Sequence, residues 1–242
     1  LTIKADRGFV IPAFNTTNID YEACAHRLRD SILRHHEIDI TILTIDDLPE
    51  TDLKGQALDY YAYRLSPYRQ TIKLEADMII TAPCAHWFDM MQHLDVCVST
   101  GCRDLYGNPA ISRFYRKFID NNNLPDVYNA VTYWRVSETA QTFFAWVRRL
   151  FVHWDEYKRL VKFPDDEPST DFVYAMAAQI IGPNKCTMPF ASFPKIIHCK
   201  QHILGTLTED WTKELVWEDN PVRINTVAQW GALHYLNKTW ML

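Results

Sequence analysis

The chain has 242 residues, of which 48% are hydrophobic and 23% charged, and its net charge is −5. That is globular composition on a chain long enough to bury a sizeable core, which excludes a disordered or collagen-like protein. With seven glycines and neither GxGxxG nor GxxxxGK[ST] in the sequence, the Gly-rich phosphate loops of dinucleotide-binding and P-loop proteins are excluded as well, so any phosphate handled here is neutralised some other way, a carboxylate-held metal being the first alternative.

GFVIPAF (8–14) reads as a short buried strand closed by proline. A polar loop over 15–20 leads to a helix predicted over 21–35, where Tyr21, Ala25, Leu28, Ile32 and Leu33 share one face and Asp20 stands at the cap. IDITILTID (38–46) is a second strand, 53–65 a helix, TIKLEADMII (71–80) a third strand with an acidic break, 83–93 a helix or turn, and LDVCVST (94–100) a fourth strand. This alternation predicts a parallel sheet with helices on its faces. Beyond it come a strand over 129–136, one long amphipathic helix over 138–161, an acidic loop over 165–168, a helix over 170–181 and a late strand, FPKIIHCK (193–200). The tail is less readable. No repeat, low-complexity tract or linker is evident, and one domain over 1–242 is the simplest expectation.

The acidic break carries the most chemistry. Glu75 and Asp77 stand two apart at the end of an apolar strand, and residues i and i+2 of a strand point the same way. Two like charges on one face are costly to bury without a cation, and strand ends are where open α/β sheets place ligands. Oxygen ligands of this kind suit Mg²⁺ or Mn²⁺, ions that also bind substrate phosphates.

The block YAYRLSPYRQTIKLEADMII (61–80) resembles the central block of GT-A glycosyltransferases, most of all family 8 and its relatives, in which an Arg-Leu segment precedes a strand ending in a DxD motif. Glu75 stands in place of the first Asp. Three further segments fall in the family's order. FVIPAFNTTNIDYEACAHRLRDSIL (9–33) resembles the first strand, nucleotide loop and first helix, which implies nucleoside contacts at Ala13, Asn15 and Tyr21. DVYNAVTYWRV (126–136) resembles the Asn-Ser-Gly strand, with Asn129 in the Asn position and Ala130 and Val131 replacing Ser and Gly. FPKIIHCK resembles the late strand ending in a metal-binding His. The resemblance implies a Rossmann-like α/β fold with a mixed, mostly parallel sheet flanked by helices. It implies a nucleotide-binding half over 1–100 and an acceptor-side half over 101–242. The metal ligands it implies are Asp77, Glu75 and His198, with His202 as an alternative to the last. Arg64, Arg69 and Lys200 are candidates to pair with phosphate. Asp171 and Asp166, in DDEPSTDFVYAMAA (165–178), are candidates for the acidic residue that meets donor sugar or acceptor.

The implied activity is sugar transfer from a nucleotide-sugar, UDP-type, to a hydroxyl acceptor, with Mn²⁺ or Mg²⁺. Two alternatives stand beside it. Residues 101–162 hold ten Lys and Arg against six Asp and Glu, which suggests a nucleic-acid partner and a transferase acting on a modified DNA base. Glu75 in place of Asp suggests a non-catalytic nucleotide-sugar binding protein. The six cysteines show no CxxC spacing and read as buried thiols, no signal-peptide core opens the chain, and no apolar run reaches membrane-spanning length, so a cytoplasmic protein is the expectation.

Overall fold

The computed structural model describes residues 3–51, 53–104, 106–108, 116–188, 194–199, 215–216, 222–224 and 227–235. Its strands are β1 (Ala5–Pro12), β2 (Asp39–Leu43), β3 (Tyr68–Leu74), β4 (Met78–Ile80), β5 (Val96–Thr100), β6 (Val127–Arg135), β7 (Ile196–Cys199), β8 (Leu215–Val216), β9 (Val222–Ile224), β10 (Val227–Gln229) and β11 (Ala232–Tyr235). Its helices are α1 (Tyr21–Leu33), α2 (Tyr60–Leu65), α3 (His86–Met91), α4 (Arg116–Asn121), α5 (Glu138–Val152), α6 (Trp154–Val161), α7 (Thr170–Ile181) and α8 (Pro183–Cys186).

The central sheet runs β2-β1-β3-β6-β5. β1 is parallel to β2 and β3, while β6 is antiparallel to both its neighbours, so four strands point one way and β6 the other. Successive residues of a strand face opposite sides, and the sheet separates two cores on that rule. Phe9, Ile11, Ile72 and Leu74 join Leu28 and Ile32 of α1 and Phe88 of α3 on one side. Val10 and Trp134 join Phe143, Phe144 and Val147 of α5 and Phe172 of α7 on the other. Gly8 is needed where Tyr68 crosses β1, because a Cβ there would stand 2.4 Å from the tyrosine ring. The expected cap of α1 is present, with Asp20 Oδ1 accepting from the Ala23 amide at 2.8 Å. α5 is capped in the same way by Ser137, whose hydroxyl accepts from the Ala140 amide at 3.1 Å.

Two expected elements are divided. The strand predicted over 71–80 is two strands in two sheets. β3 ends at Leu74, the Glu75 amide donates to the Ala130 carbonyl at 3.1 Å, the chain turns through Ala76 and Asp77, and β4 joins a second sheet of order β4-β11-β7. The helix predicted over 138–161 breaks at His153, whose φ of −107° and ψ of 30° leave helical geometry between α5 and α6. The helix predicted over 53–65 begins as a 3-10 turn over Gly55–Asp59 and becomes α-helical only in α2. A third small sheet, β10-β9-β8, is antiparallel. Cys24, Cys84, Cys97, Cys102 and Cys186 are buried as thiols. Among the described residues no helix is long and apolar enough to cross a membrane.

Candidate metal and donor site

The link between the two sheets brings the acidic pair together with a histidine. β4 pairs antiparallel with β11 so that His234 stands opposite Met78, next to Asp77, and the Tyr235 amide donates to the Asp77 carbonyl at 3.1 Å. His234 Nε2 lies 3.2 Å from Glu75 Oε2 and 3.0 Å from Asp77 Oδ2. The three side chains offer ligand atoms that all lie within 4.8 Å of one another. Asp77 and His234 are buried, while 28% of the Glu75 side chain is exposed and opens the cluster to one side. Burial pushes the Glu75 carboxyl above the usual carboxylate range; His234 and Lys73 pull it back, and Asp77 and Asp171 push with the burial. Tyr21, first residue of α1, lies within the electrostatic reach of the same pair. Its hydroxyl is pushed up to about 12 by burial first and then by the Asp77 and Glu75 carboxylates.

Behind His234 stands Tyr128 of β6, whose hydroxyl is hydrogen-bonded to Nδ1 of His234 and to Nδ1 of His198. His198 is the residue opposite His234 across the parallel β11–β7 pair, with ring centroids 5.7 Å apart.

A polar network joins the strands beneath the pair. Lys73, fully buried, donates to Asp59 Oδ1 at 2.8 Å and to the Asn129 carbonyl at 2.9 Å. Asp59 Oδ2 accepts from the Tyr174 hydroxyl at 2.6 Å and from Asn129 Nδ2 at 3.1 Å. Asp171, in the first turn of α7, accepts from the Asn129 amide at 2.6 Å. Burial, then Asp59, holds the Tyr174 phenol protonated far beyond its usual range, which keeps it a donor.

The structure gathers Glu75, Asp77, Tyr21, Asn129, Asp171 and His198 in or around this cluster, from segments that the sequence reading placed in the site. Asn129 spends its side chain internally, donating to Asp59 and accepting from Thr132 at 2.6 Å. Ala13 is buried at the end of β1, its amide donating to Leu43. Asn15 is exposed and ties the following loop to α1 through the Glu22 amide and carboxylate, each at 3.0 Å. Arg64 is exposed in the last turn of α2, and Arg69 is exposed on β3. Asp166 stands at the surface, paired at 2.7 Å with Lys158 of α6, on the rim of a cavity of about 340 Å³ that Gln56, Trp154 and Glu167 also line. Lys200 and His202 lie outside the described residues. His234 does not stand out in the sequence: it is a lone His in the short apolar stretch ALHY, the same kind of signal as His198, in a tail whose pattern predicts no strand.

No family model matches the chain, and no curated protein matches it. Solved structures do. Xyloside xylosyltransferase 1 of mouse, in its apo form, superposes with a TM-score of 0.54 over 97% of this chain and 99% of that one, at 10% identity. A glycosyltransferase involved in the glycosylation of the major capsid of PBCV-1 superposes with a TM-score of 0.51 over 98% and 95%, at 8% identity. The fold is that of a GT-A-like glycosyltransferase. Identity this low carries the architecture and no residue's role. Within the GT-A-like fold, the Glu75–Asp77 turn leaves the carboxyl end of a central parallel strand, where open α/β sheets take their ligands.

Proposed function

We propose that the protein transfers a sugar from a nucleotide-sugar, UDP-type, to a hydroxyl acceptor, with a divalent ion held by Glu75, Asp77 and His234. The observation that carries this reading is the convergence of those three side chains at the end of β3, within a fold otherwise met in glycosyltransferases. Two carboxylates and an imidazole fit an ion. The carboxylates stand against one histidine, and burial makes their paired charge costly without a cation. An imidazole in the donor set favours Mn²⁺ over Mg²⁺, which prefers oxygen. In this reading the ligand role that the resemblance gave to His198 passes to His234, which faces both carboxylates.

When bound, the ion would offset the charge that develops on the leaving diphosphate. The protein's own residues do the rest. Tyr21 holds a neutral hydroxyl against the acidic pair and orients the nucleotide side of the donor. Asp171, fixed by the Asn129 amide, orients the donor sugar. Lys73 stands two residues before Glu75 and lowers the cost of its charge. Asp166, on the open surface, belongs to the acceptor side, with 101–242 as the acceptor-side half and 1–100 as the nucleotide-binding half. Retention of anomeric configuration, which the resemblance of the central block to family 8 implies, is part of this proposal, and NMR of the product tests it.

The test is a thermal-shift series of nucleotide-sugars with and without Mn²⁺. One donor should stabilise the protein only with the ion present, by about 3 kcal/mol at a hundredfold excess over its Kd. Stabilisation by no donor under either condition sinks the assignment.

A further inference from the structure

Tyr128, His198 and His234 are 3%, 4% and 3% exposed, so the contact of one phenol with two imidazoles is sheltered from water. A phenol carries one proton. With both rings neutral, as ligation of an ion by His234 requires, it satisfies both by donating to one Nδ1 and accepting from the other, so the two histidines hold opposite tautomers. Which one holds which is fixed at the far end of the chain of contacts. His234 turns Nε2 towards Glu75 and Asp77, and an ion taken there needs that lone pair. The ring proton of His234 must then sit on Nδ1, pointing at Tyr128.

We propose that Tyr128 and His198 are positioning residues for the ion site. The Tyr128 oxygen accepts Nδ1–H of His234, the Tyr128 hydroxyl donates to Nδ1 of His198, and His198 is held as the Nε2–H tautomer. The inference rests on the reading of Glu75, Asp77 and His234 as that site. It gives His198 a function without making it a ligand: its Nδ1 accepts the hydrogen bond of the phenol O–H, leaving the phenol oxygen to accept from His234. The backbone supports the arrangement, because the β11–β7 register sets the two histidines side by side and β6 delivers Tyr128 to both.

Two measurements test it. Long-range proton–nitrogen NMR spectra of the protein loaded with diamagnetic Zn²⁺ read both tautomers directly, with no variant needed. The expected result is Nδ1–H at His234 and Nε2–H at His198; Nδ1–H at His198 overturns the proposal. Mn²⁺ titration followed by EPR reads affinity without any donor or turnover. Tyr128→Phe and His198→Leu should each weaken Mn²⁺ binding by about tenfold or more, and His198→Asn, whose Oδ1 can accept at the place of Nδ1, should recover most of that loss. Wild-type affinity in both Tyr128→Phe and His198→Leu, or no difference between His198→Leu and His198→Asn, overturns it. Asp77→Asn and His234→Ala separate the two readings. If they lose Mn²⁺ while the outer variants keep it, only this inference fails; if they also keep it, the ion site itself is misassigned and both fall.

Discussion

Lys73 Nζ lies 2.8 Å from Asp59 Oδ1, with none of the lysine side chain and 13% of the aspartate side chain exposed. This ion pair ties β3, two residues before Glu75, to the turn that starts α2, and through Asp59 it reaches Tyr174 of α7 and Asn129 of β6. A buried pair gains stability only when its remaining donors and acceptors are also satisfied, and here Asn129 of β6 and Tyr174 of α7 satisfy them.

Lys73→Met should therefore be severe. It leaves Asp59 charged among buried partners, at a cost of about 3–5 kcal/mol in urea unfolding. Adding Asp59→Asn should restore part of that loss, because the uncompensated charge is gone. A double variant no more stable than Lys73→Met would mean that the pair acts by packing rather than by charge.

Asp77→Asn should remove the Mn²⁺-dependent part of donor stabilisation while leaving the metal-free melting temperature within about 2–4 °C of wild type, since one carboxylate repulsion against Glu75 disappears with it. Calorimetric titration with Mn²⁺ is the check. Unchanged affinity would place the ion elsewhere. Glu75→Asp should keep binding, because the carboxylate remains and the exposed side of Glu75 leaves room for adjustment.

The sheet, its helices and the acidic turn were legible in the sequence because each rests on local pattern. The continuous apolar run over 8–14, the helical spacing over 21–35 and the Asp20 cap are read residue by residue. What was not legible depends on distant partners. Nothing between Thr71 and Ile80 says that the strand must change sheets; that follows from β11, more than 150 residues later, pairing with β4. The same pairing selects His234. The partners of Asn129, whose place in the site the resemblance implies, were not legible either, since Asp59 and Thr132 meet its side chain only in the fold. The break at His153 was invisible to hydrophobic spacing, which continues on both sides of it.

His36 sets a pH dependence away from the site. Its Nε2 accepts from the Cys84 amide at 2.7 Å and the Ala85 amide at 3.2 Å, a role open only to the neutral ring. Burial, then His35 and His86, holds its pKa below 6.5. The unfolded chain thus takes up the proton first as pH falls. The stability that His36 gives is complete above about 6.5 and is lost as pH drops from there through the lowered folded value. Chemical denaturation between about pH 7.5 and pH 5 should show this slope. His36→Gln, whose Oε1 can accept from the same amides without titrating, should flatten it. An unchanged slope would assign the acid sensitivity to other groups.

Gly231 controls how His234 arrives at the acidic pair. Its φ of +130° opens β11, its amide donates to Thr81 Oγ1 at 3.1 Å, and its carbonyl accepts from the Thr81 amide at 2.9 Å. A Cβ at this position would stand 2.5 Å from the Lys195 carbonyl oxygen, the same oxygen that accepts from the Ala232 amide at 3.0 Å to start the β11–β7 pairing. Gly231→Ala meets both penalties at once, a backbone conformation that a side chain disfavours and a clash with main chain that cannot swing aside. The expected loss is about 1–3 kcal/mol of stability. Because relief of the clash must shift β11 against β7, Mn²⁺ affinity should fall as well, His234 being three residues further along the displaced strand. Thermal unfolding and Mn²⁺ titration on the same sample separate the two effects. A variant that is destabilised yet binds Mn²⁺ with wild-type affinity would show that β4, rather than the β11–β7 contact, fixes the position of His234.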